Sequence, residues 1–575
     1  MTLQVGFKSE FYKHIKGEKK NLFDIKTINI SGVKNSFIAF QLFLENDTNF
    51  QLSLTNNPAF SIWPDQYTYR IEVVCEGIPS ISIHKLGYIA DDYGTLYTDM
   101  IENKEYFDVD KYDTVPLYVR IDIDRYAKAK KYKGSVNIYR RLIFQDETLL
   151  ESCPFELTVK NIIMSDMKDT LLHLDLWQHL SNIARKHEVK LFSDEHFTVI
   201  EKYVKSLAAI GQKAVSVIAS EIPWSGQRTF NDLDEPTDLF EYNYISVTKD
   251  TYGNFICDYS VLDKYISLCF SNGIKDEIEV FGLSGIWMDE KKGFHKVARD
   301  FPDGIRIRYY DQQDGIFKFM KSKAEIQGYI RLLYEYFIDK KILDKVRVIA
   351  DEPDDINRYR QTIDAILEVA PKFKFKTAIN HAEFTTEFDD VLSDLVPSLK
   401  CLQQDEEFFE KLAVSKEKRL SWYVCCRPHF PNTFIKSSLL ESCFIGYLTS
   451  IMNFDGFLRW NYTVWPENPR EKIAFRTDGW LAGDMNFVYP GHFGGPLLTI
   501  RYMALRRMVE CYELLEKASF KNADIKKEVK EMLMKQTDLE EITRLGYDET
   551  LQKAPFTLDE SDYQRIFNRI CDILL

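Results

Sequence analysis

The feature that most constrains the fold is a change of rhythm near residue 165, where short apolar runs begin to alternate with longer helical patterns. Such alternation is typical of repeated βα units, which build a parallel sheet. Eight units over about 340 residues predict an α/β (β/α)8 TIM-like barrel with insertions. The alternative is an open doubly wound sheet, whose glycine-rich phosphate-binding signatures do not occur here. The predicted barrel strands are 170–177, 213–220, 277–284, 346–350, 373–380, 399–403, 420–426 and 456–462, with 305–310 as an insertion.

Before residue 160 the pattern consists of strands alone. Short β-branched and aromatic runs at 37–44, 69–75, 116–123, 134–144 and 155–159 are separated by turn residues, which is typical of an antiparallel β-sandwich. Beyond residue 515 the pattern becomes helical and highly charged. The sequence therefore predicts three domains: an N-terminal β-sandwich over 1–160, a catalytic barrel over 165–515 and a C-terminal helical cap over 516–575.

The overall charge limits the classes of partner. A net charge of −14 without a basic run argues against binding to nucleic acid or an anionic membrane. No apolar run reaches the roughly 18 residues that suggest a transmembrane helix, and the first residues lack the features of a signal peptide. The ten cysteines are scattered without a C-x-x-C pair, as in proteins with reduced thiols. We expect a cytoplasmic protein, and the sequence leaves its oligomeric state open.

Metal and nucleophile motifs are absent from the sequence. His173, His179, His187 and His196 match no zinc-binding spacing, and no G-x-S-x-G occurs. We therefore expect neither a metal nor an organic cofactor. Cys425 and Cys426 are adjacent on a predicted strand, and we expect them in the core.

The sharpest candidate site is the segment 346–353, in which an apolar strand ends in Asp351, Glu352 and Pro353. Catalytic groups of TIM barrels lie at the C-terminal ends of the strands. Two adjacent acids can take different catalytic roles: one with a raised pKa acts as general acid and donates a proton, while the other stays ionised. The structural alternative is that Asp351 or Asp354 caps the following helix.

Aromatic residues give the second signal. Several tryptophans fall at or just beyond the ends of predicted strands, where their faces could stack on sugar rings; packing is the alternative, because Trp is generally well buried. The segment 455–465 also places Arg459 and Asn461 on one strand face, as a possible floor for a polar ligand or as a core strand with a polar tip. The predicted substrate-binding residues are Trp177, Trp224, Trp287, Trp422, Tyr423, Trp460, Asn461 and Trp465.

Four segments together resemble glycoside hydrolase family 123 and its many relatives. They are the 350–353 segment Ala-Asp-Glu-Pro, the 422–446 segment with its Arg-Pro-His-Phe-Pro-Asn-Thr-Phe run, the 455–465 segment, and a tail that begins Tyr-Pro-Gly at 489–491 and continues over 495–515. The family tail reads Y-P-G followed by P-x-x-S-I-R-x-x-A-L-R-x-G-x-E-D-Y-E-L-L. This chain departs from it at Thr499, Met508 and Cys511. The resemblance implies an N-terminal β-sandwich followed by a (β/α)8 barrel.

The resemblance also implies an activity. Characterised members of the family are retaining exo-β-N-acetylgalactosaminidases with an adjacent Asp-Glu pair and substrate-assisted catalysis. In this sequence Glu352 would be the general acid/base, and Asp351 would hold the acetamido N–H. The residues agree with this mechanism, because the predicted seventh strand, 420–426, contains no carboxylate to serve as a nucleophile. The implied partner is a small glycan or glycoside.

Two other functions stay open from the sequence. The same fold and acid pair would suit a β-glycosidase for another sugar, either β-GlcNAc or a sugar without an acetamido group. A carbohydrate-binding protein without activity is the third possibility, and the intact pair of Asp351 and Glu352 speaks against it.

Overall fold

The computed structural model describes residues 3–55, 65–78, 80–223, 240–288, 291, 293–466, 468–471, 480–534 and 537–575 of the chain. Two packed sheets form the N-terminal part, and an eight-stranded barrel follows them. None of the helices in these ranges combines the length and the apolar character that crossing a membrane requires.

In the part of the chain that the structure describes, the N-terminal sheets contain five and six strands. Most pairs are antiparallel, as predicted, but the strand Thr148–Ile163 runs parallel to Ile28–Lys34, and Phe50–Ser53 runs parallel to Tyr67–Cys75. In spatial order the first sheet consists of Gln4–Ser9, Ser36–Glu45, Val115–Ile123, Ile81–Ala90 and Leu96–Ile101. The second consists of Ile28–Lys34, Thr148–Ile163, Lys131–Arg141, Tyr67–Cys75, Phe50–Ser53 and Tyr106–Val109.

The strand Ser36–Glu45 is buried along its whole length because its two faces serve two cores. Ile38 and Phe40 point into the core between the N-terminal sheets. Phe37 and Ala39 belong to the larger core that continues into the barrel. Side chains of a strand alternate between its faces, so this one strand joins both parts of the protein.

The barrel strands are all parallel, and strands that follow each other in the chain are neighbours. A bridge between Leu174 and Gln212 brings the first strand to the second, so the barrel is nearly closed. This confirms the predicted TIM-like architecture. The strands are His173–Leu176, Ala214–Ile218, Glu277–Phe281, Val346–Asp351, Lys374–Ile379, Leu392–Pro397, Arg419–Tyr423 and Gly456–Arg459.

The prediction for the sixth strand was wrong. Residues 399–403 lie in the helix Leu399–Gln404, which is capped by Ser398, and the sixth strand is Leu392–Pro397. Asp394 gives that strand a polar appearance. Its carboxylate is nevertheless buried inside the barrel, where it accepts a hydrogen bond from Arg347.

The barrel helices surround the strands, and a separate sheet holds the predicted insertion. The helices are Leu180–Lys186, Asp194–Ala208, Ser260–Ser271, Lys323–Asp339, Ile356–Leu367, Glu383–Glu387, Leu399–Gln404, Glu406–Ser415, Leu440–Ile451 and Ile500–Ser519. The insertion sheet, in spatial order, is Phe255–Asp258, Ser246–Lys249, Arg308–Asp311 and Ile316–Phe319. Two short pairs join Ile222–Pro223 to Phe240–Glu241 and Tyr489–Pro490 to Pro496–Leu497.

The tail motif lies where the barrel meets the N-terminal sheets. Arg501 pairs with Asp99, with Nε 2.9 Å from Oδ1 and Nη2 3.0 Å from Oδ2. Tyr489 donates its hydroxyl to the same carboxylate at 2.8 Å. All three side chains are buried. The tyrosine and arginine of the motif therefore anchor the two parts of the chain to each other.

Among the described residues, three further helices follow the barrel: Ile525–Met534, Leu539–Gly546 and Glu560–Leu574. Residue 516 lies inside the last barrel helix, so these helices begin after Ser519. The Phe444 and Phe556 rings stack at 3.7 Å between centroids, which joins the C-terminal segment to the barrel.

Candidate active site

A cavity of about 470 Å³ opens at the C-terminal ends of the barrel strands. Its volume lies within the range typical of small-molecule sites. Its walls come from residues that end or follow seven of the eight strands, so the barrel itself fixes their positions. Asp351 and Glu352 are in this wall, at the end of the fourth strand, where the sequence predicted them.

Asp351 and Glu352 both reach the cavity although they are consecutive residues. In a regular strand, consecutive side chains point to opposite faces. Asp351 is the last residue of the fourth strand. Glu352 has a φ of 45°, in the left-handed region, while its N–H still bonds the Ala378 carbonyl at 3.1 Å. Because this conformation turns the chain, the second carboxylate faces the same cavity as the first, at a backbone cost of roughly 1–2 kcal/mol.

A glycine allows the neighbouring loop to reach this turn. Gly285 follows the third strand with a φ of 65°, and a Cβ added there would lie 2.9 Å from the Cβ of Ala350. That distance is too short for a normal contact. The loop after the third strand thus packs directly against the end of the fourth strand, and both line the cavity.

The two carboxyl groups have different surroundings. Tyr423, the last residue of the seventh strand, donates its hydroxyl to Oε1 of Glu352. Asn380 donates to Oε2 of Glu352 at 3.4 Å. Hydrogen bonds to an ionised carboxylate stabilise that form. Tyr423 and Asn380 therefore favour the ionised form of Glu352.

The pKa values of the pair follow from burial and mutual repulsion. Burial raises the pKa of Asp351, and the neighbouring Glu352 charge raises it further. Burial also raises the pKa of Glu352, while the Tyr423 hydrogen bond opposes that rise. Like charges this close are costly to ionise together. Burial and mutual repulsion therefore favour keeping a proton on the pair, and in the free protein the hydrogen bonds to Glu352 favour placing it on Asp351.

The predicted aromatic wall is present in part. Trp177, Trp287, Tyr423 and Trp460 line the cavity, as the sequence suggested. The Trp460 ring lies 5.8 Å from that of Trp480, which sequence reasoning missed. These rings give the cavity apolar faces of the kind that can stack on a sugar.

Three of the predicted substrate-binding residues do not line the cavity, and a fourth lies outside the described residues. Trp422 is buried and its Nε1 donates to Thr449 Oγ1 at 2.8 Å, on the outer side of the barrel. Trp465 is buried and donates to the Val488 carbonyl at 2.7 Å. Asn461 is buried and its Oδ1 accepts two backbone N–H groups of the following turn. We therefore correct these three assignments; Trp224 is the residue outside the described part.

Arg459 does not form the floor of the ligand site either. It is fully buried and pairs with Asp484, with Nη2 2.7 Å from Oδ1. Neither residue belongs to the cavity wall. The pair lies behind the wall, where Trp460 also donates to Oδ1 of Asp484 at 3.4 Å. Arg459 and Asp484 thus hold the cavity wall in place from behind.

Sequence reasoning also missed residues that follow correctly predicted strands. Ser284 follows the third strand and His381 the fifth, and both line the cavity. Cys425 and Cys426, which we expected in the core, line it too: the seventh strand ends at Tyr423, and both residues beyond it are half-buried, with Cys425 packed against the core. The rule that barrel sites are built from the loops after the strands would have indicated all of them.

One group of possible metal ligands occurs in the described part of the chain: His173, Asp175 and Glu277, in the barrel interior. The Lys376 ammonium lies 2.7 Å from Asp175 Oδ2 and 2.8 Å from Glu277 Oε1. Arg419 also bonds Glu277. The cations of the protein itself therefore neutralise these carboxylates, and the group is a buried charge cluster.

The chain matches known proteins at the level of family and fold. The model of the glycoside hydrolase 123 catalytic domain matches residues 177–518. A family 123 glycoside hydrolase from Clostridium perfringens, studied for glycolipid glycan hydrolysis, is similar in structure with a TM-score of 0.74 and 17% identity. The match covers 100% of this chain and 97% of that one.

A second solved structure is much less similar to this chain. The α-amylase from Geobacillus thermoleovorans has a TM-score of 0.31 and 9% identity, over 62% of this chain and 80% of that one. No curated protein sequence matches the chain.

Proposed function

The chain belongs to glycoside hydrolase family 123, and on that premise we propose that it is a retaining exo-β-N-acetylgalactosaminidase with substrate-assisted catalysis. The observation that carries the proposal is the acid pair, Asp351 and Glu352, with no second carboxylate facing it across the described wall of the cavity. The one other lining carboxylate in the described residues is Asp354, which is exposed and paired with Arg358 at 2.6 Å.

The absence of a second carboxylate from the described wall matters because most retaining glycosidases need two carboxyl groups about 5–5.5 Å apart on either side of the scissile bond. The seventh strand instead brings Tyr423, Cys425 and Cys426 to the cavity. A nucleophile supplied by the substrate fits such a site. The carbonyl oxygen of a 2-acetamido group is positioned to attack the neighbouring anomeric carbon, as in the substrate-assisted families.

The proposed roles depend on where the shared proton moves when substrate binds. In the free protein the Tyr423 and Asn380 hydrogen bonds favour an ionised Glu352. An acetamido N–H placed against Asp351 would supply a donor to that carboxylate and lower its pKa. The proton then passes to Glu352, which becomes the general acid while Asp351 stays ionised.

The chemical steps then follow. The acetamido oxygen forms a bond to C1 as the glycosidic C–O bond breaks, and Glu352 gives its proton to the departing oxygen. Asp351 stabilises the positive charge that develops on the ring nitrogen of the oxazolinium intermediate. Water then attacks C1 from the face that the leaving group vacated, and Glu352 takes its proton as the bond between C1 and the acetamido oxygen breaks and the acetamido group is regenerated. Two inversions at C1 give net retention of configuration.

The aromatic wall supports a sugar as the ligand. Trp287 and Trp480, which are partly exposed, and Trp460 beside them line the same cavity as the acid pair. We propose the terminal β-linked GalNAc of a small glycan or glycoside as the substrate. The structurally similar C. perfringens protein is described in connection with glycolipid glycans, which supports a glycan substrate for this chain.

A thiazoline analogue of GalNAc tests the mechanism, because it resembles the proposed intermediate. Mimics of transition states or intermediates bind roughly 10²–10⁸-fold more tightly than substrates. We expect Asp351→Asn to weaken binding of the analogue by about 10–100-fold, the effect of losing one charge-assisted hydrogen bond. Calorimetric titration measures both affinities. Asp344→Asn, which changes an exposed carboxylate before the fourth strand and outside the cavity wall, is the matched control and should bind like the wild type.

Two results would overturn the proposal. One is a thiazoline affinity no better than that of GalNAc itself. The other is a 2-fluoro sugar that becomes covalently attached to a carboxylate of the protein, because that adduct would identify a protein nucleophile.

A further inference from the structure

Two adjacent thiols lie at the cavity wall, and the proposed mechanism does not use them. Cys425 and Cys426 are both half-buried, and their sulfur atoms are 3.7 Å apart. Both residues line the cavity that contains Asp351 and Glu352. They follow Tyr423, whose hydroxyl bonds Glu352, by two and three residues.

The convergence of the two sulfurs is a property of the local fold. Consecutive side chains in a strand point to opposite faces, but the seventh strand ends at Tyr423. The Cys425 N–H then bonds the Arg427 carbonyl at 3.0 Å, which bends the chain. Asn432 donates to the Cys425 carbonyl at 2.9 Å, and Arg459 donates to the Val424 carbonyl at 2.5 Å. These bonds hold the backbone on both sides of the first thiol, so the pair is pre-organised.

We propose that Cys425 and Cys426 form a dithiol site for a soft, thiophilic centre such as trivalent arsenic, at the wall of the active-site cavity. Trivalent arsenic is pyramidal, so two sulfurs bound to it at about 2.3 Å, a typical metal–thiolate length, lie about 3.5 Å apart. The observed 3.7 Å between the two sulfur atoms is close to that separation, so little movement is needed for both to bind one centre. Soft centres prefer sulfur ligands, and a monosubstituted trivalent arsenical needs only two of them.

The binding step is a condensation. An arsenoxide, R–As=O, reacts with the two thiols to give R–As(S–Cys)₂ and one molecule of water. Two As–S bonds form, the As=O bond breaks, and both thiol protons leave on the oxygen. No atom changes its oxidation state, so the step needs no oxidant or reductant.

The raised pKa of the Cys425 thiol is compatible with a ligand that binds both sulfurs. The hydrogen bond with Cys426 and burial raise the pKa of Cys425 well above its usual range. Because a thiolate is the nucleophilic form of cysteine, Cys425 should react slowly with reagents that modify single thiols. A reagent that engages both sulfurs gains from their proximity. The substituent on arsenic would extend into the cavity beside Tyr423 and Glu352 and would block access to the acid pair.

The test uses the reduced full-length protein and one equivalent of phenylarsine oxide, with intact-mass and peptide mass spectrometry. We expect one adduct that adds the phenylarsenic group and removes two hydrogens, located on the peptide with Cys425 and Cys426. Excess monothiol should leave it in place, and 2,3-dimercaptopropanol should remove it. Cys426→Ser and Cys425→Ser should each lower the arsenical affinity at least tenfold.

Cys257→Ser is the matched control, because Cys257 is also half-buried but lies on the insertion sheet away from the pair. This variant should keep the adduct. Melting curves of all variants show whether each is folded. An adduct that persists in both Cys425→Ser and Cys426→Ser, or that lies on any other cysteines of the chain, would overturn the proposal. The mass readout does not depend on glycosidase activity, so it stands even if the proposed function fails.

Discussion

Replacing Tyr423 by Phe tests how the acid pair holds its proton. The Tyr423 hydroxyl bonds the Glu352 carboxylate and favours its ionised form. A hydrogen bond to a charged group contributes about 1.5–3 kcal/mol, and one to a neutral group about 0.5–1.5 kcal/mol. Tyr423→Phe therefore costs the doubly ionised pair about 1–1.5 kcal/mol more than it costs the doubly protonated pair.

This difference has a definite effect on the pH profile. At 1.36 kcal/mol per pKa unit, the two macroscopic pKa values of the pair should rise by a total of about one unit. The sum depends only on the doubly protonated and doubly ionised states, so it does not matter which carboxyl holds the shared proton. The midpoint of the bell-shaped profile of kcat/KM should then move upward by about half a pH unit.

The assay is hydrolysis of an aryl 2-acetamido-2-deoxy-β-galactoside across the pH range. Tyr462→Phe is the matched control, because the Tyr462 hydroxyl is buried and lies 2.8 Å from Ser206 Oγ rather than at the cavity. Its profile should have the wild-type midpoint. A Tyr423→Phe midpoint that stays in place or moves to lower pH would refute the reasoning.

Three further predictions follow from the site and its support. Glu352→Gln should reduce hydrolysis of substrates with poor leaving groups by roughly 10²–10⁴-fold, and activated aryl glycosides should lose less; equal losses would argue against Glu352 as the acid. Lys376→Met removes the one cation that pairs with all three buried carboxylates, Asp175, Glu277 and Glu279, and should lower the free energy of unfolding in urea by about 3–5 kcal/mol. Lys411→Met removes an exposed pair and should cost under about 1 kcal/mol; similar values for the two variants would contradict the role of the cluster. Burial raises the pKa of Asp92 from 3.8 to about 6. Between these two pH values the folded protein holds a proton on Asp92 that the unfolded chain has released, so the free energy of unfolding falls as the pH rises. The stability of Asp92→Asn relative to the wild type should therefore increase between about pH 4 and pH 6, the window between the unfolded and folded pKa values, and a constant difference would contradict the assignment.

The position of the acid pair could be predicted from a residue pattern together with a rule of the fold. The apolar run before Asp351 indicates a strand, and catalytic groups of TIM barrels lie at the C-terminal ends of the strands. The structure adds a backbone feature that the residue pattern does not indicate: the left-handed φ of Glu352 turns its side chain into the same cavity as that of Asp351. A pattern of residue types indicates the location of such a turn but does not specify its torsion angle.

The sixth strand could not be predicted because its stability depends on a distant partner. Asp394 breaks the apolar run of the strand Leu392–Pro397. Its buried charge is compensated by Arg347 on the fourth strand, which bonds it across the barrel interior, and by Arg419 at 3.5 Å. Hydrophobic periodicity cannot reveal a buried ion pair of this kind, whereas the run at 399–403 suits a helix as well as a strand.

The tryptophans show a related limit. Trp422 and Tyr423 are neighbours on the seventh strand, but Trp422 bonds Thr449 on the outer layer while Tyr423 bonds Glu352 in the cavity. Strands of a parallel barrel are buried on both faces. Composition alone therefore does not say which of two adjacent aromatic residues faces the lumen.

The most direct test of the proposed function compares two aryl β-galactosides that differ only at C2, one with an acetamido group and one with a hydroxyl group. Substrate assistance requires the acetamido oxygen, so purified wild-type protein should hydrolyse the acetamido sugar and leave the hydroxyl sugar intact. Loss of the acetamido activity in both Asp351→Asn and Glu352→Gln would connect that activity to the pair. Hydrolysis of the 2-hydroxy galactoside at a rate equal to that of the acetamido sugar would contradict the mechanism.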